Sequence, residues 1–183
     1  MSAEAPMISV VVARLTDPLV HLAAYGGVVF PIALIVESPI IMLLGASTAL
    51  SRDMTAYRTM RRYMMVAGAT LTLLHLAVAL TPLYDVVAIR LLGVAPVVAA
   101  PARIGLILMT PWTWAIAYRR FNQGVLIRFG RSRTVGVGTV VRLSTFAAVL
   151  WLGYLLTWPG IVAASGAVAC GVVADATDTR FAV

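Results

Sequence analysis

Five long apolar stretches, set apart by short polar or basic segments, dominate the pattern of this chain; they cover about residues 20–50, 62–81, 95–118, 135–157 and 159–175. A helix needs about 20 mostly apolar residues to cross about 30 Å of hydrocarbon. The pattern therefore predicts an all-α fold, a polytopic transmembrane helix bundle of about five spans in a single domain over residues 1–183. A sixth apolar piece, Met7–Leu15, is too brief to span and reads as what remains of a truncated first helix. Met1 to Pro6 lack the basic start of a signal peptide.

Prolines punctuate two of the spans. Pro31 and Pro39 are expected to kink the first, and Pro96, Pro101 and Pro111 to bend the third. Each proline frees a carbonyl that must find another partner inside the bundle.

Composition agrees with a lipid environment. The chain is 61% hydrophobic, against roughly 45–50% apolar in soluble proteins. Its formal net charge is +7, and all 14 basic residues are arginine. They gather between apolar stretches rather than on one polar face, which speaks against a nucleic-acid partner and for basic cytoplasmic loops. The segment 51–62 carries Arg52, Arg58, Arg61 and Arg62 against Asp53, and 119–133 carries Arg119, Arg120, Arg128, Arg131 and Arg133 with no acid. Residues 82–94 hold only Asp85 and Arg90, and Thr157-Trp158-Pro159 carries no charge. The alternation places 51–62 and 119–133 on the cytoplasmic side of an inner or plasma membrane. The lone cysteine, Cys170, lies in an apolar stretch and reads as a small packing residue.

Charges inside the apolar stretches are the candidate chemistry. Glu37 has no other charge between Leu22 and Leu50, and a charge at mid-bilayer costs at least about 2.5–3.5 kcal/mol. Counting about 1.5 Å per residue from Leu50, Arg62 and Tyr118 as cytoplasmic ends puts Glu37, His75 and Arg103 at one depth, about 20 Å in. His75 shares a helical stripe with Gly68, Thr72 and Ala79; Glu37 shares a face with Gly26 and Thr48, and Arg103 with Thr110. Small and hydroxyl side chains mark helix contacts or a cavity. The expectation is one polar centre of Glu37, His75 and Arg103, open to two readings: an ion pair that holds the bundle in register, or a site where Glu37 takes a proton or cation, His75 relays it and Arg103 holds an anionic group. Arg142 is expected to snorkel to headgroups, with a substrate role as the alternative. Ala163, Ala167 and Gly171, four residues apart, form a small-residue packing face for a neighbouring helix or subunit. His21 lies too far along the chain to complete a metal set, and no metal or cofactor is expected. With no Walker motif, dinucleotide fingerprint or Gly-x-Ser-x-Gly elbow, an enzyme is not expected either.

Asp17-Pro18, His21-Leu22-Ala23-Ala24-Tyr25-Gly26, Glu37-Ser38-Pro39 and Ala46-Ser47-Thr48-Ala49-Leu50 resemble bacterial relatives of the progressive ankylosis protein. The run Gln123-Gly124-Val125-Leu126-Ile127-Arg128-Phe129-Gly130-Arg131-Ser132-Arg133 resembles the segment after the fourth helix of the MOP flippase superfamily, which includes multidrug/toxin extrusion proteins. The resemblance spans about residues 13–175 and implies the amino-terminal six-helix lobe of an ion-coupled exporter or flippase, with proton or Na+ coupling and a small or lipid-linked substrate. It also implies a second lobe, or a second copy, as partner within the bilayer. The alternative is a structural or interaction membrane protein whose polar centre is only an ion pair.

Overall fold

The computed structural model describes residues 4–182, with the side chains of residues 178–182 left aside. The described residues form helices and short connectors with no strand. In chain order these are α1 (Glu4–Val12), α2 (Pro18–Ala24), α3 (Phe30–Ile41), α4 (Leu43–Leu50), α5 (Met54–Leu80), α6 (Leu83–Asp85), α7 (Pro96–Leu108), α8 (Thr110–Arg128), α9 (Ser132–Leu155) and α10 (Gly160–Ala182). Wide π-turns at Tyr25–Val29 and Val86–Leu91 follow α2 and α6. Four helical runs are long and apolar enough to cross a membrane: Pro18–Leu50, Met54–Leu80, Ser132–Leu155 and Gly160–Thr177. The expected third span, 95–118, is instead a broken rod, the shorter apolar α7 joined at Met109 to the more polar α8.

Pro31 and Pro39 disturb the first span as expected, whereas Pro101 sits inside the continuous α7; a polar side chain repairs the break at Pro39. Pro31 cannot donate to the Gly27 carbonyl. The preceding turn widens to the π register, in which the Phe30 amide donates to Tyr25. Pro39 frees the Ile35 carbonyl, and the Ser38 hydroxyl donates to it at 3.0 Å. Pro111 sits in the first turn of α8, just after the Met109 break, where a missing amide costs little.

Two caps move the expected boundaries. Asp53 accepts from the Ala56 amide at 2.8 Å and starts α5 eight residues before the expected 62. At the other boundary, the Gly130 amide bonds Ile127 and the Arg131 amide bonds Leu126, with Gly130 at φ 73°. This is the Schellman stop, which needs a residue that tolerates positive φ. The segments expected as loops, 51–62 and 119–133, therefore shrink to residues 51–53 and 129–131, and Arg58, Arg61, Arg62, Arg119, Arg120 and Arg128 are helical. Helices begin and end alternately at this basic end and at the opposite end.

At the centre of the bundle α8 packs on α3, α4, α5, α9 and α10, burying Trp112, Phe121 and Leu126. It meets α4 at Gly124, where a Cβ would overlap the Ser47 hydroxyl and the Leu44 carbonyl. There Thr48 donates to the Gly124 carbonyl at 3.2 Å, and Arg128 donates to the Thr48 carbonyl at 3.1 Å. Ala163, Ala167 and Gly171 are buried in α10. Gly153 closes on Ala163, and Gly171 on the Arg142 carbonyl, so this small-residue face is spent on α9 of the same chain. Cys170, expected to be a packing residue, is exposed on the outer side of α10.

Replacing Gly124 by Val is expected to lower the thermal midpoint in detergent sharply, because backbone of α4 blocks the new side chain. Gly136→Ala, a site on α9 with open space, is expected to leave the midpoint unchanged or raise it by up to about 1 kcal/mol of helix propensity. Fluorescence-detected unfolding of the two variants measures both.

Candidate functional site

A partly open cavity of about 540 Å³, mostly apolar in surface but carrying a group of ionisable side chains, is walled by α1, α2, α3, α8, α9 and α10. Its polar lining includes Glu4, Tyr25, Glu37, Arg119, Arg120 and Arg142, with Gln123 beside them. Glu37 reaches it from α3, where the Pro31 and Pro39 irregularities flank its helical turn. Its side chain is 3% exposed, and its Oε2 has no hydrogen-bond partner. The positive charges that act on it are those of Arg120 and Arg119. A buried carboxylate without a donor is costly in an apolar setting, so its charge is balanced only through space.

Three arginines share the wall, each held differently. Arg119 of α8 forms an ion pair with Asp175 of α10 at 3.0 Å. Arg142 of α9 forms one with Glu4 of α1 at 2.6 Å. In both, the contact is through Nη1, and Nε is buried without a partner. Arg120 is half-buried beside them. The cavity therefore sets three guanidinium groups near one carboxylate that lacks a donor among the described residues. Such an arrangement can hold a proton or small cation on the carboxylate and an oxyanion on the guanidinium groups.

The expected centre of Glu37, His75 and Arg103 does not form; among the described residues no hydrogen bond or ion pair joins them, and only Glu37 lines the cavity. Since α5 begins at Met54, His75 lies about 31 Å along it rather than 20 Å. It is buried near the far end of α5, with Nε2 donating to the Leu106 carbonyl at 2.9 Å and Nδ1 accepting from the Thr113 hydroxyl at 3.0 Å. A carbonyl only accepts, so the proton sits on Nε2. This imidazole braces the break between α7 and α8. Arg103 is further out still, because its rod continues to Arg128. Its guanidinium donates to the carbonyls of Ala79, Leu80 and Thr81 and lies 5.5 Å from the Tyr84 ring centroid, closing the end of α5.

The secondary candidates divide in the same way. Arg142, expected to snorkel, is buried and ion-paired on the cavity wall. Thr48 serves the α4–α8 contact, and Thr110 bonds only within its own turn, to Leu106 at 3.5 Å. Gly26 does share the cavity with Glu37, as their common face implies. Sequence reasoning missed Glu4, Arg119, Arg120, Gln123 and Asp175. Arg119, Arg120 and Gln123 were assigned to the 119–133 loop, and Glu4 and Asp175 carried no usable signal. Yet Trp112, Ile116, Arg120 and Gln123 keep helical spacing and all line the cavity, and that period, with Gly130 as a helix stop, was the available clue.

His75→Leu is expected to destabilise the bundle by about 1–3 kcal/mol, because it removes a buried hydrogen bond to the Leu106 carbonyl and strands the Thr113 hydroxyl. Chemical unfolding in detergent measures the loss.

No protein-family model, curated protein or solved structure matches this chain.

Proposed function

We propose that this membrane protein is a lobe of an ion-coupled secondary exporter or flippase, with this cavity as its coupling and substrate site. The observation that carries the reading is Glu37, a buried carboxylate on the wall of a cavity among the helices, with an oxygen that no described residue satisfies. In hydrocarbon surroundings such a group is relieved by taking up a proton or small cation. When it does so, Arg120 loses the negative charge set against it while Arg119 stays paired with Asp175, and the cavity turns more positive. An anionic group is then held more firmly; release of the proton weakens it again. Occupancy by proton and by anion thus rise together, which is the linkage a coupled carrier needs. Arg119, Arg120 and Arg142 take the anion-holding role expected of Arg103. A small or lipid-linked substrate, a basic end facing the cytoplasm and a second lobe or copy completing the pathway belong to the same reading, with the motif resemblance as their support.

A structural role for the polar centre is favoured by a different observation, the two ion pairs. Arg119–Asp175 joins α8 to α10, and Glu4–Arg142 joins α1 to α9. Both pairs fix helix register by themselves and leave Glu37 out.

Infrared difference spectra of the protein in lipid, stepped in pH, distinguish the readings. The expected result is a carboxylic-acid C=O band that appears on acidification, vanishes in Glu37→Gln and survives in Asp175→Asn. A band that persists undiminished in Glu37→Gln removes Glu37 from the coupling role.

A further inference from the structure

A second charged groove lies outside the Glu37 cavity and shares no lining residue with it. It opens at the basic end of the bundle, where the amino end of α5 meets the carboxyl end of α8, and holds about 580 Å³. Val125 and Leu126 of α8 give it a buried apolar floor. Arg52 lines it from the connector before α5, and Arg131 from the connector after α8, just past the Gly130 helix stop.

Three features define what fits. The first is charge. Two guanidinium groups border the groove against one carboxylate, Asp53, which spends an oxygen on the Ala56 amide. The Arg52 side chain makes no hydrogen bond among the described residues. An anion is therefore favoured, and guanidinium forks match phosphate oxygens. The second feature is apolar surface. Met54 and Phe129, which also line the groove, are each 63% exposed. Tyr57 lines it beside them, its ring packed on Phe121 at 5.5 Å between centroids. A free anion leaves these side chains uncovered, whereas a phospholipid covers them and meets the arginines as well. The third feature is position. Helix α5 is long and apolar enough to cross a membrane, and the groove lies at its first turn. Aromatic rings and arginine heads belong at that level, where hydrocarbon gives way to headgroups. Basic pockets between membrane helices take anionic lipid there.

We propose that the Arg52–Arg131 groove binds one anionic phospholipid. Its phosphate lies on the two guanidinium groups, and its glycerol and first methylenes lie on Met54, Tyr57 and Phe129. The lipid thereby bridges the two connectors at the basic end. This site is separate from proton binding at Glu37 and does not depend on it.

Native mass spectrometry of the detergent-purified protein, with phosphatidylglycerol as the probe, reads the affinity. Arg52→Gln and Arg131→Gln are each expected to weaken the first bound lipid about fivefold, the worth of one arginine at an anionic lipid surface. Arg62→Gln removes the same charge from an exposed position outside the groove, about 12 Å along α5 from Met54. That is beyond the screening length of about 8 Å, so a loss of less than about twofold is expected. Phe129→Asn is expected to weaken phosphatidylglycerol too, and phosphatidylcholine to bind the unaltered protein about fivefold more weakly. Inorganic phosphate in excess is expected not to displace the lipid. An equal loss in Arg62→Gln reduces binding to the general field of the basic end and overturns the site. Phosphatidylcholine as tight as phosphatidylglycerol overturns it too, as does displacement by inorganic phosphate or by an acidic peptide. Thermal midpoints in lipid-free detergent check the fold of each variant. If Arg131→Gln unfolds, Arg52→Gln decides alone, because the exposed Arg52 side chain holds nothing else in place.

Discussion

The Arg119–Asp175 pair, an arginine and a carboxylate buried together in an apolar bundle, is the contact around which this structure is arranged. Asp175 is fully buried and the Arg119 side chain nearly so. Removing one member of such a pair costs about 3–5 kcal/mol, because the other charge is left without compensation. The pair fixes α8 against α10. Since α8 also packs on α3, α4, α5 and α9, its register passes to most of the bundle. The small residues of α10 then seat on α9, with Gly171 on Arg142 and Ala163 on Gly153. This brings Arg142 to the same cavity as Arg119.

Around that frame, polar side chains serve mainly to complete broken backbone. Ser38 repairs the carbonyl freed by Pro39, His75 braces the α7–α8 break, and Arg103 closes α5. Lipid offers no hydrogen bonds, so these interrupted turns recruit a nearby donor. Residues that look like chemistry in an apolar sequence are therefore often consumed as caps. Glu37 is the informative exception among them, because no donor is spent on it.

The cavity combines two unequal kinds of charge. Arg119 is committed to a fully buried partner on the long α10, whereas Arg142 is committed to Glu4 on the short α1, each through one Nη1 contact. A carboxylate with no donor beside these paired arginines is the physical basis for reading the cavity as a working site rather than a packing defect.

Much of the architecture was legible in the sequence. The apolar runs gave the helices, Pro31 and Pro39 marked the irregular turns, and Asp53 and Gly130 carried the cap signals that set α5 and α8. Those two caps also decided the depths. Taking Arg62 and Tyr118 as helix ends placed His75 and Arg103 beside Glu37, while the true ends at Met54 and Arg128 move both toward the opposite side. Glu37 itself was legible because its cost depends only on the apolar residues around it in the chain. Its neighbours were not. Helical period and rise determine which face and level a residue occupies, but which helices share a wall depends on packing between segments far apart in sequence. Arg119, Arg120, Arg142 and Glu4 meet Glu37's cavity because α8 runs through the centre and α1 folds back on α9. The sequence alone thus determined a helical membrane bundle with one uncompensated carboxylate. Only the tertiary structure decided which charges face it, since a partner in space is a property of the packed bundle and not of any one helix.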